Sequence, residues 1–82
     1  MTFNFTFDST TGHVTIAKGS TEIPAEAFSG LNRVKSVSIP YGVTTIGENA
    51  FRYNQLTSID IPESVTTIGS DAFSLNQLTS VV

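Results

Sequence analysis

The sequence predicts a mainly β solenoid: stacked repeats with parallel strands, short helical or 3₁₀ turns on the convex side, and a β-hairpin cap at the N-terminal end. Three observations carry this. The stretch VTTIGENAFRYNQLTSID, starting at Val43, returns 22 residues later as VTTIGSDAFSLNQLTSVV, with 12 identities over 18 positions. Each copy contains a run in which β-branched and small polar residues alternate. The first 19 residues lack the repeated phrase and alternate phenylalanine with polar residues instead. A fixed period of this length is the signature of an array whose units cannot bury their apolar faces alone.

The hairpin comes first. Phe3, Phe5 and Phe7 alternate with Thr2, Asn4 and Thr6, DSTTG supplies turn residues, and HVTIA alternates again through Val14 and Ile16. Period two on either side of a turn reads as two antiparallel strands. A stack of repeats leaves its core open at each end, and a hairpin with a phenylalanine face suits the N-terminal one. A stacking platform for single-stranded nucleic acid would need cations around the rings, and only Lys18 is close.

Three repeats follow, at residues 20–42, 43–64 and 65–82, the last incomplete, and together with the hairpin they form one domain over residues 1–82. The first copy is divergent: STEIPAEAFSGLNRVKSVSIP sets Ile23, Ala27 and Phe28 at the positions of Ile46, Ala50 and Phe51, with one extra residue before its strand. In VKSVSIP, LTSIDIP and LTSVV the residues Val37, Ile39, Ile59 and Ile61 face inward, while Ser36, Ser38, Ser58, Asp60 and Ser80 face outward. The proline after the first two of these strands cannot donate to a ladder and ends them. The next segment is too short and too rich in Gly and Thr for a long helix. It predicts a very short strand at Thr45 and Ile46 and a single helical or 3₁₀ turn at ENAF. Phe28, Phe51 and Phe73, one per repeat, are expected to stack in the core.

The IGENAF and IGSDAF elements, and the weaker IPAEAF, resemble the BspA-like class of leucine-rich repeats, whose pattern reads approximately LxxLxLPxxLxxIGxxAFxxCxx. The resemblance covers about residues 20 to 82. At the family's cysteine position stand Leu31, Asn54 and Asn76, and the two asparagines are expected to cap backbone groups of the turn. Members are commonly long surface or secreted proteins that bind other proteins, so the resemblance implies recognition without chemistry.

Charge and composition narrow the rest. Four Lys and Arg against seven Asp and Glu give a net charge of −3, a field that opposes nucleic acid and anionic membranes. The absence of cysteine removes disulfides and thiolate chemistry. MTFNFTFD lacks the basic start and apolar run of a signal peptide, and no stretch reaches membrane-span length, so the chain is expected to be soluble, not exported and not membrane-inserted, in a compartment the sequence does not name. His13, the only histidine, has no partner in the sequence that would make it a general base or a metal ligand, and reads as a polar strand residue. The carboxylates, among them Glu48, Asp60, Glu63 and Asp71, are scattered and suggest neither glycoside hydrolysis nor calcium binding. No catalytic residue, metal site or cofactor is expected, and the chain is predicted to be no enzyme.

What remains is a protein-interaction or structural module with a protein partner of unknown identity. The binding residues expected are Ser36, Ser38, Ser58, Asp60 and Ser80 on the sheet face, with Tyr41, Arg52 and Tyr53 on the turns as the stronger anchors. The third copy stops inside its strand, which points to self-association as a homodimer through Phe73, Leu78, Val81 and Val82. The alternative is an N-terminal fragment or engineered piece of a longer cell-surface adhesin-type array.

Overall fold

The computed structural model describes residues 3–81, with Ser80 and Val81 described by their backbone. Strand β1 (Phe5–Asp8) pairs antiparallel with β2 (His13–Ile16), from Phe5 opposite Ile16 to Asp8 opposite His13. Asp8 organises the turn between them: its Oδ1 accepts from the amides of Thr10 at 2.9 Å and Thr11 at 3.4 Å, and its carbonyl accepts from the Gly12 amide at 2.7 Å. Gly12 sits at φ 76°, and a Cβ there would lie 2.9 Å from the Arg33 carbonyl oxygen, so the position demands glycine on both counts.

Strand β2 also pairs in parallel with β4 (Ser36–Ser38), Val14 opposite Val37, at an offset of 23 residues. The second hairpin strand therefore keeps the period of the repeats. The expectation that residues 1–19 lie wholly outside it is corrected: Val14 and Ile16 in HVTIA stand where Val37 and Ile39 stand in SVSIP.

On a second face, β3 (Glu22–Ile23), β5 (Thr45–Ile46) and β7 (Thr67–Ile68) form a parallel sheet with Ile23, Ile46 and Ile68 in register. β6 (Ser58–Ile59) pairs in parallel with β8 (Ser80–Val81). Between β4 and β6 there is no ladder; the Gln55 amide donating to the Val34 carbonyl at 2.9 Å joins these repeats just ahead of the strands. Gly47 and Gly69 set how closely successive repeats approach. A Cβ on Gly47 would lie 2.4 Å from the Ala25 nitrogen, and one on Gly69 2.5 Å from the Glu48 nitrogen.

The predicted helical or 3₁₀ turns are not formed: the described residues contain no helix. Two i to i−3 turns occupy each ENAF-type segment, Ala50 amide to Gly47 carbonyl and Arg52 amide to Asn49 carbonyl, both at 3.2 Å. Between them Asn49 takes φ 58°, as do Glu26 at 61° and Asp71 at 57° in the other repeats. A left-handed residue at every such point stops a helical succession. It also turns alternate amides along the stack. Those of Glu26, Phe28 and Gly30 donate to the carbonyls of Glu48, Ala50 and Arg52, each at 2.8 Å, and those of Asn49, Phe51 and Tyr53 to Ser70, Ala72 and Ser74.

The core lies between these faces. Phe28 and Phe51 stack with centroids 5.2 Å apart at 11°, and Phe51 and Phe73 at 5.6 Å and 2°. Ile23, Val34, Val43, Ile46, Ala50 and Leu56 fill the space around them and are fully buried. Beyond Phe28 lie the rings of Phe5, edge-on at 4.8 Å, and Phe3 at 6.1 Å. Burial of each such side chain contributes about 1.5–3 kcal/mol.

Candidate functional site

The outward face of β2 and β4 carries an arrangement that the sequence does not announce. His13 Nδ1 lies 2.6 Å from Ser36 Oγ and His13 Nε2 2.9 Å from Ser38 Oγ, because the β2–β4 register sets His13 directly opposite Ser36. The protonated ring nitrogen donates to one hydroxyl and the bare one accepts from the other. His13 is thus a polar residue of strand β2, as the sequence suggests, with serine partners that the sequence does not show. With both ring nitrogens engaged by serines, no carboxylate orients the imidazole as a nucleophile's base would require. The arrangement ties a strand pair together and occupies two of the hydroxyls expected to bind a partner. Ser58 and Asp60 continue this face and are exposed. The side chain of Ser80 lies outside the described residues.

Of the expected anchors, Tyr41 is 78% exposed in the turn between β4 and β5. Arg52 and Tyr53 are exposed neighbours in the turn between β5 and β6, with Tyr53 at φ 62°. The expected anchor set is thus divided between two turns.

The third repeat differs from the second in what lies over it. Ile46 is fully buried, whereas its counterpart Ile68 is 46% exposed and Leu75 is 60% exposed. Phe73 and Leu78, expected to self-associate, are half-buried against the core. The amides of Asp71, Phe73 and Leu75, counterparts of three that bond to the repeat above, have no acceptor among the described residues. Val82 and the side chain of Val81 lie outside the described residues.

Asn54 and Asn76 cap backbone groups as expected and reach further. Asn54 is buried; its Nδ2 donates to the carbonyl of Phe51 at 3.1 Å in its own turn and of Phe28 at 2.8 Å in the repeat before, while its Oδ1 accepts from the Val34 amide at 3.3 Å. Asn76 repeats this one unit on, donating to Phe73 and Phe51 and accepting from Leu56. The spacing of IGxxAF to asparagine was legible, but the reach across repeats was not. Leu31, aligned with them, is 49% exposed and takes no such place, since its side chain has neither donor nor acceptor.

Among the described residues no group of three His, Cys, Asp or Glu could hold a metal ion, and no helix is long and apolar enough to cross a membrane. The described residues form a strand-rich repeat protein without a helix. The family description BspA type Leucine rich repeat region (6 copies) matches residues 2–82, and the chain belongs to that family. The match includes the hairpin, in keeping with the period of β2. Neither the curated proteins nor the solved structures give a match. Membership suggests a protein-interaction or structural repeat module of a generally non-enzymatic kind.

Proposed function

We propose that the chain is a non-enzymatic solenoid module that joins a further repeat unit on the C-terminal side of its third repeat, the joining unit being the same face of a second copy. The hairpin serves as the cap at the other end, a reading supported by Phe3 and Phe5 over Phe28. The observation that carries the joining is the amide row of Asp71, Phe73 and Leu75, without acceptors among the described residues, beside half-exposed Ile68. On the turn side each repeat donates to the one after it, whereas on the β5–β7 side the later repeat donates to the earlier, as Gly69 does to Ile46 at 2.8 Å. The third repeat therefore presents donors along one side and acceptors along another. A copy turned about a twofold axis sets donors over acceptors and pairs the β8 edges antiparallel.

The same face accepts a fourth repeat of a longer adhesin-type array equally well, and two samples separate the readings. Light scattering after size exclusion should give a dimer for the chain itself, and a monomer for Ile68→Lys and for a version carrying an appended polar capping repeat. A folded monomer at high concentration overturns the dimer and leaves the array.

A further inference from the structure

A recess lies away from that face, under the tip of the hairpin. It encloses about 330 Å³ between the β1–β2 turn and the segments leading into β4 and β6. Its lining includes Arg33 and Lys35, two of the four cations in a chain of net charge −3, and no carboxylate. Their convergence has a backbone cause. Val34 between them is fully buried, and the Lys35 amide donates to the Gly12 carbonyl at 2.8 Å. Extended residues on either side of an inward one point the same way, which is outward into the recess. The carboxylate of Asp8, at the end of β1, is turned into the hairpin, where the Thr10 and Thr11 amides hold its Oδ1.

The rest of the lining is mixed. Phe7 contributes a partly exposed aromatic ring, and Ser9, Asn32 and Gln55 contribute polar groups. The Gln55 side chain is fixed by donating from Nε2 to the Asn32 carbonyl at 2.8 Å, which leaves its Oε1 as an acceptor toward a ligand. The volume is at the lower end of ligand pockets and suits one or two amino-acid residues. A bare inorganic anion would satisfy the two cations but leave Phe7 and most of the space unfilled.

We infer that this recess receives an acidic peptide segment of a partner protein, a carboxylate side chain between Arg33 and Lys35 and an adjacent apolar side chain on Phe7. The inference goes beyond the joining of copies and stands without it. Binding at one exposed recess is weak, roughly in the millimolar range, and falls with salt as the charges are screened.

The test is an amide chemical-shift titration of the full chain at low salt with the capped tetrapeptide Leu-Asp-Glu-Leu, its isostere Leu-Asn-Gln-Leu, and inorganic phosphate. Saturable shifts centred on Gly12, Arg33, Lys35 and Gln55 with the acidic peptide alone support the site. Arg33→Gln and Lys35→Gln, both exposed and so compatible with the fold, should each weaken binding about fivefold, while Lys18→Gln leaves it unchanged. Equal binding of the isostere, indifference to both substitutions, or phosphate giving the same shifts at the same affinity overturns the proposal.

Discussion

The ring of Phe51 lies 5.6 Å from that of Phe73 and within 2° of parallel. Phe51 is covered on its other face by Phe28, whereas Phe73 is half-buried at the open side of the stack. Truncation should expose that asymmetry. Phe51→Ala removes a fully enclosed ring and should cost about 3–5 kcal/mol, which is most of the stability a domain of this size commands. Phe73→Ala should cost about half as much, since part of its surface is already in water. Thermal melts of the two variants check this, and equal losses would contradict the stacking order.

Asn54 couples three segments with one side chain, and removing it strands polar groups on both sides. Asn54→Leu keeps the number and branching of the side-chain heavy atoms but leaves the Phe28 carbonyl and the Val34 amide without their partner. Each buried group so orphaned costs about 1–3 kcal/mol. The same change at Asn76, where the groups are only partly buried, should cost less. Urea denaturation of both variants measures the difference, and a larger loss at Asn76 would show that the buried position is not the critical one.

Much of this was legible in the sequence, for reasons that can be located. The phenylalanine stack follows from one ring per repeat at a fixed offset, because identical units stacked in register superpose identical side chains. The strands at Thr45–Ile46 and Ser58–Ile59 follow from β-branched alternation. The ENAF turn is not legible as it forms, because Asn49 and Asp71 take left-handed φ of 58° and 57°, which interrupts a helical succession, and the Asn49 amide donates across to the Ser70 carbonyl of the next repeat, a contact that local propensity does not contain. The serine partners of His13 are not legible, because Ser36 lies 23 residues away and meets it only through a register that begins in the hairpin. The recess at Arg33 and Lys35 draws on three separate segments, and no spacing in the chain marks it.

Gly47 and Gly69 should resist even a methyl group. An alanine Cβ at either would meet backbone at 2.4 or 2.5 Å, and backbone of the adjoining repeat cannot rotate aside as a side chain would. Gly47→Ala and Gly69→Ala are each expected to cost about 1–3 kcal/mol through forced separation of the repeats. Gly30 is the contrast: it sits at φ 76° with open space around its missing Cβ, so Gly30→Asn meets only backbone strain, which asparagine tolerates better than most residues, and should cost less than either alanine. Chemical denaturation ranks the three, and a tolerated Gly47→Ala would mean that the repeats pack less closely than described.

Hydrogen exchange reads the direction of the stack amide by amide. Those of Asn49, Phe51 and Tyr53 donate at 3.0, 2.8 and 2.9 Å to carbonyls of the third repeat, and they should exchange only through opening of that repeat. The amides of Asp71, Phe73 and Leu75, at equivalent positions one repeat on, have no acceptor among the described residues and should exchange with little protection in dilute solution. Association changes that prediction in a defined way. If a second copy sets its acceptors over this row, protection of Asp71 and Phe73 must rise with protein concentration, while that of Phe51 stays constant until the third repeat itself is stabilised. Ile68→Lys should abolish the concentration dependence without affecting Phe28, which is bonded to the second repeat through Ala50 at 2.8 Å. Strong protection of Asp71 and Phe73 in a sample shown by light scattering to be monomeric would overturn the donor row, and with it the reason for copies to join there.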